Sequence, residues 1–572
     1  MHTPTKKPWN QIVLYQLYPW SFNEDKERTP QRGNGSIRGI IEKIPYLVDV
    51  GVTGLWLCPP YPGPMQDNGY DIADFIDIHP ELGTMDDFDD LVTACHEHGI
   101  RIMLDFIPNH SSDTHQWFQK SRRRLDGFDD WYIWHPGKRD AGGKPIPPNN
   151  WPSIFSAANR RARDEGKMPW LKDDELTPAI SAWKWDDLRG EFYLRSFSDD
   201  QPDLNWENPD VREAMKQNMR FWIDRGVDGF RMDAVNHMAK NRSFEDEERD
   251  PEFNEKEGTK HSGNPYYQYL HRNSSNYPDR LFFYVRELCS VVREDQYKDR
   301  DLQMVLESYL DDDLLAEINN IDPEKTFTFN FGPFYMPWDA QTRQKQMDEY
   351  YANFPENGIP NQTFGNHDNG RLASRFGDNP ARAIAVMGMF APGMNIVYSS
   401  EELGLHNANI PRDKCMDQLA FRDPQRTPII WDDTQPNAGF SNAEPENLWL
   451  PIHQDDLPLA VSRQEHDPTS FLSLYRACTR LRLELPAIRD GRYVAITTDN
   501  KNVLAYVRRS DDQKAVVLVN FTDQPQLVVP AVDFARGGVV LSSLDVTEHS
   551  RDLNLHDGVE LRPDEALVIV AN

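Results

Sequence analysis

The stretch GSIRGIIEKIPYLVDVGVTGLWLCPP, residues 35–60, decides the fold. Its first part carries apolar residues at helical spacing and stops at Gly51, as a helix does when its last turn closes on glycine. Its second part, VTGLWLCPP (52–60), is a short apolar run ended by two prolines, which reads as a strand. The alternation continues outward in both directions. IVLYQLYPW (12–20) is a strand before it. MDDFDDLVTACHEHG (85–99) is a helix after it, acidic at its start and closed by Gly99, and IRIMLDFIPNH (100–110) is a third strand. A β-α-β-α rhythm of this kind specifies parallel strands with helices outside.

From about 111 to 190 the rhythm gives way to an irregular, Trp- and Pro-rich stretch containing PIPPNNWPSIFSAANR. So long an excursion is expected to be a small subdomain inserted after the third strand. The rhythm resumes with the helix NPDVREAMKQNMRFWIDRG (208–226) and the strand VDGFRMDAV (227–235). LFFYVREL (281–288), LQMVLESYL (302–310), NQTFGNHD (361–368) and NIVYSSEELGL (395–405) complete eight expected strands. Eight β/α units specify an α/β protein built on a closed (β/α)8 TIM barrel, here over 1–110 and 191–490. An open doubly wound sheet would want a Gly-rich phosphate loop after the first strand, and YPWSFNED is not one. After about 490, NVLAYVRR, AVVLVNFT, LVVPAVDF and EALVIVAN are strands split by polar turns, the pattern of an antiparallel β-sandwich domain over 491–572.

The 572 residues carry 62 basic and 92 acidic side chains, a net charge of −30. A nucleic-acid binder needs a positive stripe, and the short KSRRRLD run (120–126) reads as the solvated end of a helix. Five scattered cysteines, Cys58, Cys95, Cys289, Cys415 and Cys478, argue against both a disulfide framework and a zinc site. MHTPTKKPWNQ lacks the apolar core of a secretion signal, and no apolar run approaches the roughly 20 residues that span a bilayer. A cytoplasmic protein acting on a neutral small molecule, as a monomer or homodimer, is the expectation.

The chemistry is expected at strand ends. In VDGFRMDAV, Arg231 and Asp233 share the face turned into the barrel, while Phe230, Met232 and Ala234 face the helices. An adjacent guanidinium favours the ionised form of an aspartate, which suits a nucleophile. A structural ion pair is the plainer alternative. The third strand ends in Asp105, Asn109 and His110, the run 281–288 in Glu287, and GNHDNGR supplies His367, Asp368 and Arg371. Carboxylates converging without a metal motif point to acid–base and nucleophilic work on an acetal.

The blocks DFIPNHSS, QPDLNWENP, GFRMDAVNH, GNHDN, RTPIIWD and PNAGFS lie in order along nearly the whole chain. In them the sequence resembles the α-amylase family, glycoside hydrolase family 13, and within it the α-glucosidase and oligo-glucosidase branch. The resemblance implies Asp233 as nucleophile, Glu287 as general acid/base and Asp368 as the third carboxylate, with Arg231 beside the nucleophile. It implies that His110 and His367 hydrogen-bond the reactive glucose, that Asp67 grips the non-reducing end and that Tyr70 stacks on the ring. Either Arg422 or Arg426 would pair with Asp67 and close the pocket. Ala234, small and next to the nucleophile, leans towards α-1,4 linkages. A retaining, exo-acting α-glucosidase is implied, with a glucosyltransferase or sugar isomerase on the same intermediate as the alternative. A non-catalytic scaffold would have lost one of these carboxylates.

Three departures stand out. Arg286 precedes Glu287 where the family has glycine, leaving Glu307 in VLESYL as the fallback acid/base. Ser36 stands where relatives place a calcium-ligating aspartate, so no metal is expected at that loop, and no cofactor is expected for the chain. Arg195 in YLRSFS has no counterpart that explains it.

Overall fold

The structure is a computed structural model and describes residues 6–29, 31–157, 181–251, 270–310, 312–335, 337–411, 414–417, 420–547 and 551–572. Its centre is an eight-stranded parallel sheet. The strands are β1 (Val13–Leu17), β2 (Gly54–Leu57), β3 (Arg101–Phe106), β4 (Gly229–Met232), β5 (Gln303–Leu306), β6 (Thr326–Thr328), β7 (Asn361–Gln362) and β8 (Met394–Tyr398). Backbone ladders run β1 to β2 to β3 to β4 to β5 to β6, and β8 joins β7 to β1. Between β6 and β7 the Asn361 side chain spans the seam. Its Nδ2 donates to the Thr328 carbonyl at 2.9 Å and its Oδ1 accepts from Asn330 N at 3.0 Å. The sheet therefore closes into the expected barrel.

One of the eight expected strands is not a strand. Residues 281–288 lie in a helix, Pro278–Ser290. Its buried residues, Leu281, Phe282, Tyr284, Val285, Leu288 and Cys289, repeat at helical spacing. Proline at its first position and Asp279 in its first turn are ordinary start signals. The missing strand is β6, whose alternation TFTFNF sends Phe327, Phe329 and Phe331 to one face. There they pack with Trp56, Met103 and Val305 in the barrel interior. Phe230 and Met232 lie instead in the larger core that includes the surrounding helices.

Between β3 and β4 sits a three-stranded antiparallel sheet of Trp134–His135, Glu191–Leu194 and Trp183–Asp186. Two of its strands lie in the stretch 111–190 expected as an insertion and the third, Glu191–Leu194, lies just past it; residues 158–180 of that stretch lie outside the described residues. The loop after β4 holds it to the barrel. Glu247 N donates to Asn150 Oδ1 at 2.7 Å, and Trp151 Nε1 donates to the Glu245 carbonyl at 2.8 Å.

The C-terminal residues form a six-stranded antiparallel sheet and a two-stranded one. Val516, Leu518, Leu567 and Ile569 of the first share a core with Val528, Val559 and Leu561 of the second. A buried arginine on strand Val503–Arg509 joins this unit to the barrel. Arg508 donates to the carbonyls of Phe390, Ile488 and Gly491 at 2.7, 2.7 and 2.6 Å. Beside it, Arg482 on the barrel's own helix Phe471–Glu484 binds those of Met389, Ala391 and Gly393. These carbonyls include the C-terminal end of helix Asp378–Met389, where a cation also meets the negative end of the helix dipole. Arg508→Ala strips three buried carbonyls of their donors and should lower unfolding free energy by about 2–4 kcal/mol. The check is a lower urea midpoint with turnover at 25 °C unchanged.

Candidate active site

The barrel's interior parity places Asp105, Arg231, Asp233 and Glu307 on one face at the C-terminal ends of β3, β4 and β5, where barrel enzymes do their chemistry. Arg231 is 1 % exposed and sits at the centre of them. Its Nη1 lies 2.7 Å from both Asp105 Oδ1 and Asp233 Oδ1, and its Nη2 2.7 Å from Glu307 Oε2. Glu307 Oε2 also accepts Ala234 N at 3.1 Å, and Glu307 Oε1 accepts Tyr309 Oη at 3.2 Å. Ala234 adopts a left-handed conformation with φ 45°, a cost for a residue with a Cβ that the hydrogen bond to Glu307 helps to offset. Burial pushes Asp233 well above the ordinary carboxylate range. Arg231 opposes this, and the charges of Glu307 and Asp105 add to it. Asp105 is pushed up to about 6 by burial, against the pull of Arg231. It also accepts from Tyr70 Oη at 2.9 Å and Trp56 Nε1 at 3.1 Å, so it orients both the guanidinium and the Tyr70 ring.

Asp368, in the loop after β7, receives Arg426 at 2.7 Å and Arg422 at 3.1 Å on one oxygen. Burial would push it up, but His367, Arg422 and Arg426 hold it below its ordinary value. The same Arg422 binds Asp67 and, through Nε, Asp417 at 2.6 Å. Arg426 is wholly buried and turns its Nε to the His367 carbonyl at 2.9 Å. Of the two candidate arginines, Arg422 is the partner of Asp67. Gln201 of the QPDLN block donates to the second oxygen of Asp67 at 2.8 Å and lies 3.1 Å from His110 Nε2. Tyr70 and His367 stack, with ring centroids 5.2 Å apart and planes at 3°. Both histidines are driven down by burial. They stay neutral at pH 7, and protein groups orient their rings: His110 Nε2 lies 3.1 Å from the Tyr70 carbonyl oxygen and His367 Nδ1 lies 2.7 Å from Gln16 Nε2.

Nine of the ten residues singled out in the sequence, Asp67, Tyr70, His110, Arg231, Asp233, His367, Asp368, Arg422 and Arg426, are thereby brought together. Glu287 is not. It sits on the outer helix Pro278–Ser290, bound to Arg212 at 2.5 Å and Lys216 at 3.4 Å on helix Pro209–Asp224. The carboxyl that meets Arg231 and Ala234 is Glu307. The helical spacing of 281–289 was the available signal. Arg286 is exposed on that helix. Ser36 caps helix Ile37–Glu42 by accepting from Gly39 N at 3.0 Å, and Arg195 pairs with Asp199 at 2.5 Å.

A TIM barrel with carboxyls gathered at its C-terminal mouth around a pocket of neutral histidines defines a class, the glycoside hydrolases. The chain belongs to the α-amylase family, glycoside hydrolase family 13: the family model "Alpha amylase, catalytic domain" matches residues 16–491. It is 33 % identical over 538 residues to an alpha-glucosidase of Apis mellifera, covering 90 % of this chain and 86 % of that protein. It is 32 % identical over 608 residues to an oligo-1,6-glucosidase of Parageobacillus thermoglucosidasius, covering 98 % of each. Among solved structures it is similar to an alpha-glucosyl transfer enzyme, XgtA, with a TM-score of 0.83 and 28 % identity over 99 % of this chain and all of that one. Among the described residues no helix is long and apolar enough to cross a membrane.

Proposed function

We propose that the chain is a retaining, exo-acting α-glucosidase that releases glucose from short α-1,4-linked glucosides. Asp233 is the nucleophile, Glu307 the general acid and base, and Asp368 the carboxylate that binds ring hydroxyls. The observation that carries this is Arg231 holding Asp233 on one nitrogen and Glu307 on another, each at 2.7 Å. Two carboxyls gripped by one guanidinium lie close together, which favours the short separation of about 5–5.5 Å that double displacement uses over the wider gap an inverting enzyme leaves for water. In the double displacement Asp233 attacks the anomeric carbon while Glu307 protonates the leaving oxygen, and Glu307 then takes a proton from water.

The Asp67–Arg422 pair and the stacked Tyr70 and His367 rings close the pocket around one glucose, which supports removal from the chain end. The small Ala234 beside the nucleophile supports the α-1,4 preference. Four buried cysteines without disulfides fit a reducing, cytoplasmic setting. Similarity to an α-glucosyl transfer enzyme favours a second reading, in which the same intermediate passes glucose to an acceptor alcohol. Proton NMR of maltose and isomaltose digests, with and without added glycerol, tests both. The first reading expects α-glucose as the first-formed anomer and maltose turned over faster. Dominant glycerol glucosides support transfer, and β-glucose as the first anomer overturns the retaining mechanism.

A further inference from the structure

We infer that Tyr309 is a positioning residue that sets which half-reaction limits turnover, acting through Glu307; the inference rests on Glu307 being the acid/base. The two oxygens of Glu307 have different partners. Oε2 is occupied by Arg231 Nη2 at 2.7 Å and Ala234 N at 3.1 Å, so Oε1 is the oxygen that handles the proton. Tyr309 Oη donates to that oxygen at 3.2 Å. The phenol is held from beneath by a ladder of rings inside the barrel. Tyr309 stacks on Phe331 with centroids 5.0 Å apart, Phe331 on Phe329 at 5.2 Å, and Phe329 lies 5.4 Å from Trp56. Trp56 in turn bonds Asp105 at 3.1 Å. The backbone N of Tyr309 donates to Asn236 Oδ1 at 3.5 Å, tying it to the residues just after the nucleophile.

A donor aimed at a carboxylate favours its ionised form. In the first half-reaction Asp233 bonds to the anomeric carbon, the bond to the leaving oxygen breaks, and the Glu307 proton moves to that oxygen. In the second, Glu307 takes a proton from water, the water oxygen bonds to the anomeric carbon, and the Asp233 ester bond breaks. Tyr309 keeps its own proton throughout. Its hydrogen bond fixes Oε1 where that oxygen must hold the incoming water in line. A p-nitrophenolate leaves with little acid help while water still needs an aimed base, so with p-nitrophenyl α-glucoside loss of the hydroxyl slows deglucosylation more than glucosylation.

Tyr309→Phe keeps the ring ladder and should leave the melting temperature unchanged. With p-nitrophenyl α-glucoside its steady-state turnover should fall about tenfold, the scale of one hydrogen bond to a charged group. A pre-steady-state burst of p-nitrophenol should appear, azide should restore turnover with α-glucosyl azide as product, and the alkaline limb of the kcat/KM profile should move to higher pH. Glu307→Ala is run beside it. If Glu307→Ala is rescued by azide while Tyr309→Phe matches wild type in burst, azide response and alkaline limb, this inference is overturned and the proposed function stands. If Glu307→Ala keeps wild-type turnover, the acid/base assignment falls and the role of Tyr309 with it.

Discussion

Glu307→Gln is expected to lower kcat/KM on maltose by about 10²–10⁴-fold, the range general acid–base groups contribute. Glu287→Gln, a loss at a partly exposed ion pair, should change it by less than about twofold. The contrast follows from placement: Glu307 is 4 % exposed on a barrel strand end, and Glu287 pairs with Arg212 and Lys216 on outer helices. Glucosides with good leaving groups need less acid help, so p-nitrophenyl α-glucoside should suffer less than maltose in the first step. The pH profile adds a sign. The charge of Glu307 is one of the causes that push Asp233 up. With that charge gone, Asp233 ionises at lower pH, the acidic limb of the profile shifts down and the alkaline limb vanishes. Steady-state rates of the two variants from pH 4 to 9 measure all of this. Collapse of Glu287→Gln with Glu307→Gln intact would refute the site.

Asp233→Ala should cost the most, about 10⁴–10⁶-fold in kcat, as removal of a nucleophile does in covalent catalysis. The strand should survive the change, because its register is held by the backbone: Asp233 N donates to the Phe106 carbonyl at 2.8 Å. Arg231 keeps Asp105 and Glu307 as partners, and one of three carboxyls crowded on a single guanidinium is gone. The variant should therefore be as stable as wild type or more so, by up to about 1 kcal/mol, as often found when an active-site charge is removed. Azide entering the space left by Asp233 attacks the opposite face from water and gives β-glucosyl azide, whereas Glu307→Ala gives the α-anomer. Thermal melts and chromatography of the azide products check both claims. The same anomer from both variants would show that the two carboxyls do not flank the sugar.

Much of this site was legible because its residues sit in short, contiguous blocks at strand ends. Arg231 and Asp233, two apart in a strand, had to share a face, and they do. His110 and Asp368 followed from the same logic at other strands. Glu287 misled for a definable reason. LFFYVREL is apolar and short enough to pass for a strand, and an acid at its end resembles a barrel strand end. Only its burial period, with Phe283 and Arg286 exposed among buried neighbours, marks it as a helix. The three-residue β6 escaped notice because so short a strand carries almost no periodic signal. One false strand and one missed strand left the count at eight, so the architecture was right while one element was misplaced.

Local pattern was enough to specify a parallel barrel, an antiparallel C-terminal unit and the carboxyl at the end of β4, since each depends on periodicity within one segment. Partner choice across the chain was not available in that way. Arg422 and Arg426 are four residues apart and alike in chemistry, yet only Arg422 reaches Asp67, 355 residues away. Glu307 and Glu287 offered the same functional group, and closure of the barrel turned one towards Arg231 and the other towards solvent-side cations. Charges choose partners by distance and by exclusion of water, and both arise only when strands distant in the chain have been laid side by side.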